Sequence, residues 1–529
     1  MLRKILSFFF ALFMFLPTAH SAEMVNVEYI HQYLNARWGI DLPYNPELKN
    51  PKVAENLEYL LTVVDIANEY LNGEKTTSYG TGEYATKLAA DTIATNTAID
   101  SLVHGPSFYI TTTPDTTEFE IRISASGNFT IDWGDGKREP FLNTKVLSHT
   151  YASPGEYTIQ LSGRATNYAS SFGLPSSVIN FSNKQNIASI SGKLGRIFPT
   201  LENKNPTFYK LFQDATNLTS IPEDLFDGIE TSPYVGIGTF MFASAFRNTG
   251  ITSIPGKLFS GITSTANNMF DFTFSDTPIT SIPENLFANL TEASSPSVFQ
   301  GTFWGTNITS IPSGLFANLR GRIGGQAFYA TFTDCKSLQS IPEDLFASIS
   351  SAPATSMFVQ TFAGTGITSI PENLFSTIRG APASTMFAST FSGTNITSIP
   401  SGLFAGISGA PNYNMFQNTF SNCKSLKNIP ADLFAGISGA PESAMFDGTF
   451  QNCTSLESIP ENLFAGISGS AASHMFSNTF SGCTSLTGPS ARIGGQYLYE
   501  IWPDIDYNTN TYSDATGLSD YEQIPANWK

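Results

Sequence analysis

The sequence predicts a multidomain fold in which an α/β solenoid of short repeats follows a β-sandwich and a small helical N-terminal region. Three observations support this prediction. A tripeptide ending in Ile-Pro recurs nine times at nearly constant spacing, alternating apolar and polar residues precede it, and near the N-terminus apolar residues recur every three or four positions.

The composition bounds the class of protein. The chain has 529 residues, of which 41% are apolar, enough to exclude wholesale disorder and to bury a large core. It carries a net charge of −17, which argues against a general nucleic-acid binder because such proteins need a basic face. Its 43 Phe and only 4 Cys point to aromatic packing rather than to a disulfide scaffold.

Residues 1–22 are typical of a signal peptide. Arg3 and Lys4 precede an apolar stretch from Ile5 to Leu16, and small residues follow up to Ala22. The alternative, a membrane anchor, is disfavoured because twelve apolar residues are too few to span a bilayer. We therefore expect a secreted, cell-surface or periplasmic protein with no transmembrane segment after the signal is removed.

Residues 23–104 have the periodicity of helices. The clearest candidate runs from Pro51 to Leu71, with Asn50 as its cap and Gly73 beyond its end. The segment carries no motif, so its role stays open.

Residues 105–181 show the alternation of short β-strands. Phe119, Ile121 and Ile123 alternate with polar residues, and the Asp135-Gly136 pair predicts a hairpin. The run Asp-Trp-Gly-Asp-Gly (132–136), followed by His-Thr-Tyr (149–151) and Pro-Gly-Glu-Tyr (154–157), resembles the PKD (polycystic-kidney-disease) domain. The resemblance implies an extracellular β-sandwich that acts as a spacer or adhesive module without catalysis.

Asp132 and Asp135 lie in this hairpin and allow two interpretations. They are either turn-forming residues or a pair of metal ligands. The turn role is favoured, and no metal or other cofactor is expected.

Residues 182–488 form the repeat array. Successive prolines are 33, 28, 29, 30, 29, 29, 30 and 30 residues apart, and fixed periods of this size predict a solenoid. The nine prolines are Pro222, Pro255, Pro283, Pro312, Pro342, Pro371, Pro400, Pro430 and Pro460.

Three Phe columns run through the nine units. The first column, Phe226 to Phe464, follows a Leu; the second, Phe242 to Phe476, and the third, Phe246 to Phe480, are always four residues apart. That spacing predicts one face of a short helix, and the columns predict the core of the array.

The Pro-Glu-Asn/Asp-Leu-Phe segment predicts a second short helix with acidic residues in its first turn. Pairs such as Glu223-Asp224 and Glu343-Asp344 therefore read as helix starts rather than as catalytic acids, because equivalent acids recur around the array.

All four cysteines occupy one position of the unit, where other units have Thr or Ala: Cys335, Cys423, Cys453 and Cys483. A column of small buried residues is favoured. A disulfide between adjacent turns stays open because stacked strands lie about 4.8 Å apart. No Cys spacing suggests zinc.

Units such as Cys-Thr-Ser-Leu-Glu-Ser-Ile-Pro (453–460) and Phe-Ser-Gly-Cys (480–483) resemble the bacterial surface-antigen (BspA-like) leucine-rich repeats. The resemblance covers residues 185–488 and implies a leucine-rich-repeat-type solenoid with a role in surface adhesion and protein binding. The present units are longer than those of the family.

Residues 489–529 follow the unit's order imperfectly, which predicts a C-terminal cap. The segment 504–508 matches the start of a calcium loop, but Thr509 and Ala515 replace its required Gly and Glu, so calcium is not expected. Arg-Ile-Gly-Gly-Gln occurs at 322–326 and 492–496 without the Gly-Lys-Ser/Thr of a phosphate-binding loop.

The residue three positions before each proline from Pro255 to Pro460 is the best candidate for an outward-facing ligand contact. It is mostly Thr, and it changes to Gln, Lys or Glu toward the C-terminal end, which we take as the contact end; a merely solvated Thr/Ser ladder is the alternative. The candidates are Thr252, Thr280, Thr309, Gln339, Thr368, Thr397, Lys427 and Glu457.

The sequence thus favours a non-catalytic binding or adhesion protein that presents a repeat platform to an extracellular protein or glycan. Two alternatives stay open: an accessory module or hydrolase of an extracellular polymer-degrading system, and a self-assembling surface protein. Beyond residue 22 the chain has only four His, scattered and without a nucleophile motif, which weighs against a hydrolase.

Overall fold

The structure is a computed structural model that describes residues 106–168, 177–202, 204–231, 239–350, 352–503 and 509–529. The chain divides into two compact units, residues 1–107 and 108–529, and the described residues belong almost entirely to the second. The predicted signal peptide (1–22), the predicted helical region (23–104) and the calcium-loop candidate (504–508) lie outside the described residues. In the part of the chain that is described, no helix is both long and apolar enough to cross a membrane.

Two antiparallel sheets form the first part of the described chain. One has five strands in the order β4-β3-β6-β1-β8, and the other has three in the order β5-β2-β7. The strands are β1 (Ser107–Thr112), β2 (Thr116–Ile123), β3 (Ala125–Asp132), β4 (Arg138–Phe141), β5 (Lys145–Gly155), β6 (Thr158–Tyr168), β7 (Ile179–Phe181) and β8 (Ile187–Gly192).

Alternation decides which side chains of these strands reach the core. Phe119, Ile121 and Ile123 of β2 are at most 1% exposed, as their spacing predicts. The predicted hairpin at Asp135-Gly136 is confirmed, since β3 and β4 pair across it with Asp132 opposite Arg138.

The five-stranded sheet continues past residue 181. Strand β8 pairs with β1 over Phe108–Thr112, and helix α1 (Leu194–Ile197) follows it. The segment 187–192, which the repeat spacing had placed in the array, therefore belongs to the sheet. Ring stacking of Phe181 on Phe212, with centroids 5.6 Å apart, joins the sheet core to the array, because Phe212 in turn stacks on Phe246 of the third Phe column.

The predicted helix between the second and third Phe columns is wrong. The described residues between 204 and 488 contain no α-helix. The chain instead makes tandem four-residue turns, in which every fourth residue has a positive φ: 63° at Phe240, 54° at Ser244 and 53° at Asn248. The Phe spacing of four thus comes from turns of four residues and not from a 3.6-residue helical period.

Backbone hydrogen bonds explain why this arrangement replaces the helix. Amides alternate between two kinds of acceptor: the Ala245 N–H donates to the Phe242 carbonyl within its own turn (3.0 Å), whereas the Phe246 N–H donates to Thr273 of the next unit (2.9 Å). A helix would direct every amide to its own segment and leave neighbouring units without backbone bonds. The alternation provides backbone hydrogen bonds both within each turn and between neighbouring units.

The Pro-Glu-Asp-Leu-Phe segment is also built of turns rather than a helix. The Leu225 N–H donates to Pro222 and the Asp227 N–H to Asp224, three residues back in each case. The helix-start explanation of the acidic pairs therefore does not hold. Glu223 lies 3.5 Å from Lys257, and Asp224 lies 3.3 Å from Lys193, as exposed ion pairs.

The three Phe columns form the core of the array, as predicted. Centroids of successive rings are 5.9 to 6.4 Å apart in the first column. They are 5.6 to 5.9 Å apart in the second and third columns. Each ring therefore stacks on the equivalent ring of the next unit.

The C-terminal segment closes the columns with larger rings. Tyr512 stacks on Phe480 at 5.9 Å, and Trp528 lies 6.2 Å from Tyr512 and 6.4 Å from Phe476. A short hairpin, β9 (Arg492–Ile493) and β10 (Gln496–Tyr497), leads into helix α2 (Leu498–Ile501). Single-turn 3₁₀ helices occupy Lys184–Asn186, Tyr521–Gln523 and Ala526–Trp528.

Candidate binding surface and buried polar ladders

The eight predicted contact residues lie on one exposed line along the array, which we call the hydroxyl strip. Each is exposed, and the Ser or Asn that follows each is exposed too, whereas the next Ile is buried. The strip comprises Thr252, Thr280, Thr309, Gln339, Thr368, Thr397, Lys427 and Glu457.

The backbone under the strip is less regular than the predicted strand. Two successive side chains face solvent, which breaks strict alternation. At several steps of the strip a backbone amide joins neighbouring turns: the Lys427 N–H donates to the Thr397 carbonyl at 3.2 Å, and the Glu457 N–H donates to the Lys427 carbonyl at 3.0 Å. Equivalent strip residues are therefore held side by side even without a continuous ladder.

The predicted contact end is only partly brought together. Lys427 and Glu457 occupy adjacent turns, so a ligand can touch both. Gln339 is three turns from Lys427, with Thr368 and Thr397 between them, and its side-chain amide donates to the Ser337 carbonyl in its own turn at 3.3 Å. Lys427 and Glu457 are therefore close enough to contact one ligand together, whereas Gln339 lies apart from them.

A buried threonine ladder, which the sequence analysis missed, runs inside the array. Each hydroxyl donates to the carbonyl of the second-column Phe in the preceding unit, for example Thr390 to Phe358 and Thr419 to Phe387, both at 2.9 Å. The members are Thr273, Thr302, Thr331, Thr361, Thr390, Thr419, Thr449, Thr479 and Thr511. The recurring Phe-x-x-Thr-Phe was the available signal.

The cysteine column is buried and unpaired. All four thiols are free, and the Cys423 thiol donates to the carbonyl of Phe391 in the preceding unit at 3.1 Å. In units with Thr at this position, the hydroxyl donates to the third-column Phe of its own unit, as Thr394 does at 2.8 Å. Burial raises the pKa of the Cys335 thiol to about 12 and that of Cys423 to about 11. These thiols therefore pack as small core groups and are poor nucleophiles.

Asp132 and Asp135 form the hairpin turn, as favoured by the sequence. The Gly134 N–H donates to Asp132 Oδ1 at 2.9 Å, and the Lys137 N–H donates to Asp135 Oδ1 at 3.1 Å. Arg138 Nε donates to the second oxygen of Asp132 at 2.7 Å. In the described ranges no group of three or more His, Cys, Asp or Glu could hold a metal ion.

A polar cluster ties this turn to strand β5. His149 Nε2 lies 2.8 Å from Asp135 Oδ2, and its ring stacks on Trp133 with centroids 5.0 Å apart. Burial raises the pKa of Asp135, but the hydrogen bonds from His149 and the Lys137 backbone outweigh it and leave that pKa below its usual value. His149, one of the histidines available to an enzyme, thus has a structural partner.

A second buried polar cluster pins the C-terminal segment. Asp520 is 2% exposed and accepts hydrogen bonds from the Ser490 N–H at 2.8 Å, the Ser490 hydroxyl at 2.5 Å and the Tyr499 hydroxyl at 3.2 Å. The period places residues 490 and 520 in adjacent turns, but nothing in the sequence predicts that Asp520 is buried. These hydrogen bonds join the two ends of the C-terminal segment, so the cluster anchors it.

Comparison of the chain with protein-family models, with curated proteins and with solved structures finds no match in any of the three. The functional interpretation therefore rests on the described geometry.

Proposed function

We propose that the chain is a secreted or cell-surface binding protein without catalytic activity. Its repeat units form a leucine-rich-repeat-type solenoid related to the BspA-like repeats, and a PKD-like β-sandwich acts as a spacer before them. The observation that carries the proposal is the hydroxyl strip, whose eight side chains are exposed while the Phe columns beside them are buried.

The inward and outward positions of each unit have different roles, which supports the proposal that the array presents a binding surface. The Phe columns, the threonine ladder and the cysteine column use the inward positions for packing and hydrogen bonding. The strip positions can therefore vary without disturbing the core, and outward positions of repeat arrays provide extended binding surfaces. Lys427 and Glu457 show that such variation occurs in adjacent turns.

The proposed ligand is an extracellular protein or glycan, contacted near Lys427 and Glu457. A side-by-side cation and anion can orient a polar partner, and the flanking hydroxyls can donate or accept hydrogen bonds. Nucleic acid is disfavoured by the net charge of −17.

The test compares two double variants that conserve net charge. Lys427→Thr/Glu457→Thr removes the charged pair from the strip, and Lys257→Thr/Glu372→Thr removes an exposed cation and anion elsewhere on the array. Each purified protein is applied to arrays of extracellular proteins and glycans. We expect the first variant to lose ligands that the wild type and the control retain. Identical binding by all three proteins would contradict the assignment of the contact end.

A further inference from the structure

The corner that follows the first Phe column varies from unit to unit, and the unit that contains Phe316 has two adjacent glycines near it. Four later units have Ala-Pro there, at Ala352-Pro353, Ala381-Pro382, Ala410-Pro411 and Ala440-Pro441. Counted back from the second Phe column, the unit that contains Phe316 has Arg322 and Ile323 at these two places and Gly324-Gly325 after them. The next unit has Ala354 and Thr355 where this one has the two glycines, so two side chains are missing.

A groove with a volume of about 730 Å³ lies at this corner. Gly325 and Arg322 line one side, and Pro353, Thr355 and Ala383 of the next two units line the other. Its size falls within the range of ligand-binding clefts. Gly324 is required by close approach, because a Cβ there would lie 2.2 Å from the Ser295 carbonyl oxygen.

One cationic side chain, Arg322, lines the groove of this acidic protein. Arg322 is exposed, as is Arg320 two residues before it. Among the described residues, neither guanidinium has an ion pair within 4.0 Å. Glu292, the acidic residue at the equivalent corner of the preceding unit, is half-buried and forms no such pair with them. An unpaired guanidinium beside a cleft is suited to bind a carboxylate.

The second copy of the Arg-Ile-Gly-Gly-Gln motif, at 492–496, provides an internal comparison. Arg492 lies 3.6 Å from Glu461, and the Gly494 N–H donates to the Asn462 side chain at 2.8 Å. The arginine of this motif therefore forms an ion pair at the C-terminal hairpin, whereas at the groove it has no ion pair among the described residues. The difference comes from the neighbouring unit and not from the motif.

We propose that this groove binds an acidic peptide segment, with an Asp or Glu carboxylate on Arg322 and small apolar side chains against Pro353 and Ala383. The lining residues favour a peptide over a sugar because they offer methyl groups, a proline ring and the hydroxyls of Ser350 and Thr355, and the lining includes no aromatic ring for a pyranose to stack on. The site is separate from the hydroxyl strip.

The test measures binding of fluorescently labelled poly-L-glutamate to the full chain by anisotropy at 150 mM NaCl. We expect Arg322→Gln to weaken binding about tenfold or more, since hydrogen bonds to charged groups are the strong ones. Ala383→Leu, which narrows the groove without changing charge, should also weaken it. Arg492→Gln should bind as the wild type does, and Lys427→Thr/Glu457→Thr tests whether the probe binds at the hydroxyl strip instead.

The proposal is overturned if Arg322→Gln or Ala383→Leu binds as tightly as the wild type, or if the loss follows Arg492 or the strip variant instead. A parallel titration with polygalacturonate decides the ligand class. If Arg322→Gln weakens only polygalacturonate binding, the groove is a site for acidic glycans and the peptide proposal fails. Circular dichroism of each variant verifies that the fold is retained.

Discussion

The two sheets and the repeat array satisfy the hydrogen bonds of their backbone amides and carbonyls in different ways. In the sheets, β2 donates along its length to β5 and β7, and single polar clusters such as Asp135–His149 hold individual turns. In the array, alternate amides bond to the next unit, the same Phe and Thr contacts recur from unit to unit, and a Cys contact occurs at four places. Stability in the sheets therefore rests on unique contacts, whereas stability in the array is the sum of similar steps.

The largest effect should come from breaking a Phe column in its middle. Phe387 is fully buried and stacks on Phe358 and Phe416, both at 5.8 Å. We expect Phe387→Ala to cost about 3–5 kcal/mol of unfolding free energy, because the turns cannot collapse onto the cavity. Hydrogen exchange should show the loss of protection centred on the units around Phe387. Equal loss of protection in β3 and β6 would show that sheets and array unfold as one cooperative body.

Removal of the C-terminal anchor should open the array from its end. Asp520→Ala leaves the Ser490 N–H and two hydroxyls without their acceptor, which should cost at least about 3 kcal/mol in total because each buried unsatisfied group costs about 1–3 kcal/mol. Limited proteolysis should then cut after residue 488. Glu522→Ala, an exposed residue nearby, serves as the control and should resist cleavage as the wild type does.

The threonine ladder and the hydroxyl strip offer a matched pair of smaller changes. Thr390→Val removes one buried hydrogen bond while keeping the shape, so we expect a cost of about 1 kcal/mol. Thr397→Val lies on the exposed strip and should change stability by less than about 0.5 kcal/mol. Urea unfolding of both variants measures the difference, and equal costs would remove the distinction between inward and outward hydroxyls.

The smallest effect concerns pH and the sheets. Because the pKa of Asp135 is lowered in the folded protein, its contribution to stability is present above the unfolded pKa of about 3.9 and is lost as pH falls through the lower folded value. The stability difference between wild type and Asp135→Asn should therefore shrink as pH falls below about 4. Asp115→Asn, at an exposed site, is the control. A difference that is independent of pH would show that the His149 contact does not stabilise the charged form.

The sequence was sufficient to locate the core and insufficient to define the backbone that carries it. The Phe columns and the hairpin at Asp135 follow directly from residue type and period. The turns were missed because a spacing of four fits a helix and a four-residue turn alike. The distinguishing signal was the recurrence of Asn, Asp or Gly at positive-φ positions, as at Asn414, Asn418 and Asn422, since these residues tolerate the left-handed region.

The candidate sites also differ in how far the sequence predicts them. Exposure of the hydroxyl strip followed from its place in the unit. The separation of Gln339 from Lys427 follows from counting turns, which the sequence already allowed. The groove at Arg322 and the Asp520 cluster join residues about thirty positions apart. The period predicts that such residues lie in neighbouring turns, but it does not predict which of them line a groove or share a buried carboxylate.

The most direct test of the stacked-unit account is a set of distances along the hydroxyl strip. Spin labels are placed on cysteines that replace Thr252, Thr309 and Glu457, in a background where Thr replaces the four buried native cysteines. Pulsed electron-spin resonance should give about 34 Å between positions 252 and 457 and about 24 Å between 309 and 457, because seven and five steps of about 4.8 Å separate them. Distances that do not scale with the number of intervening units would contradict the account.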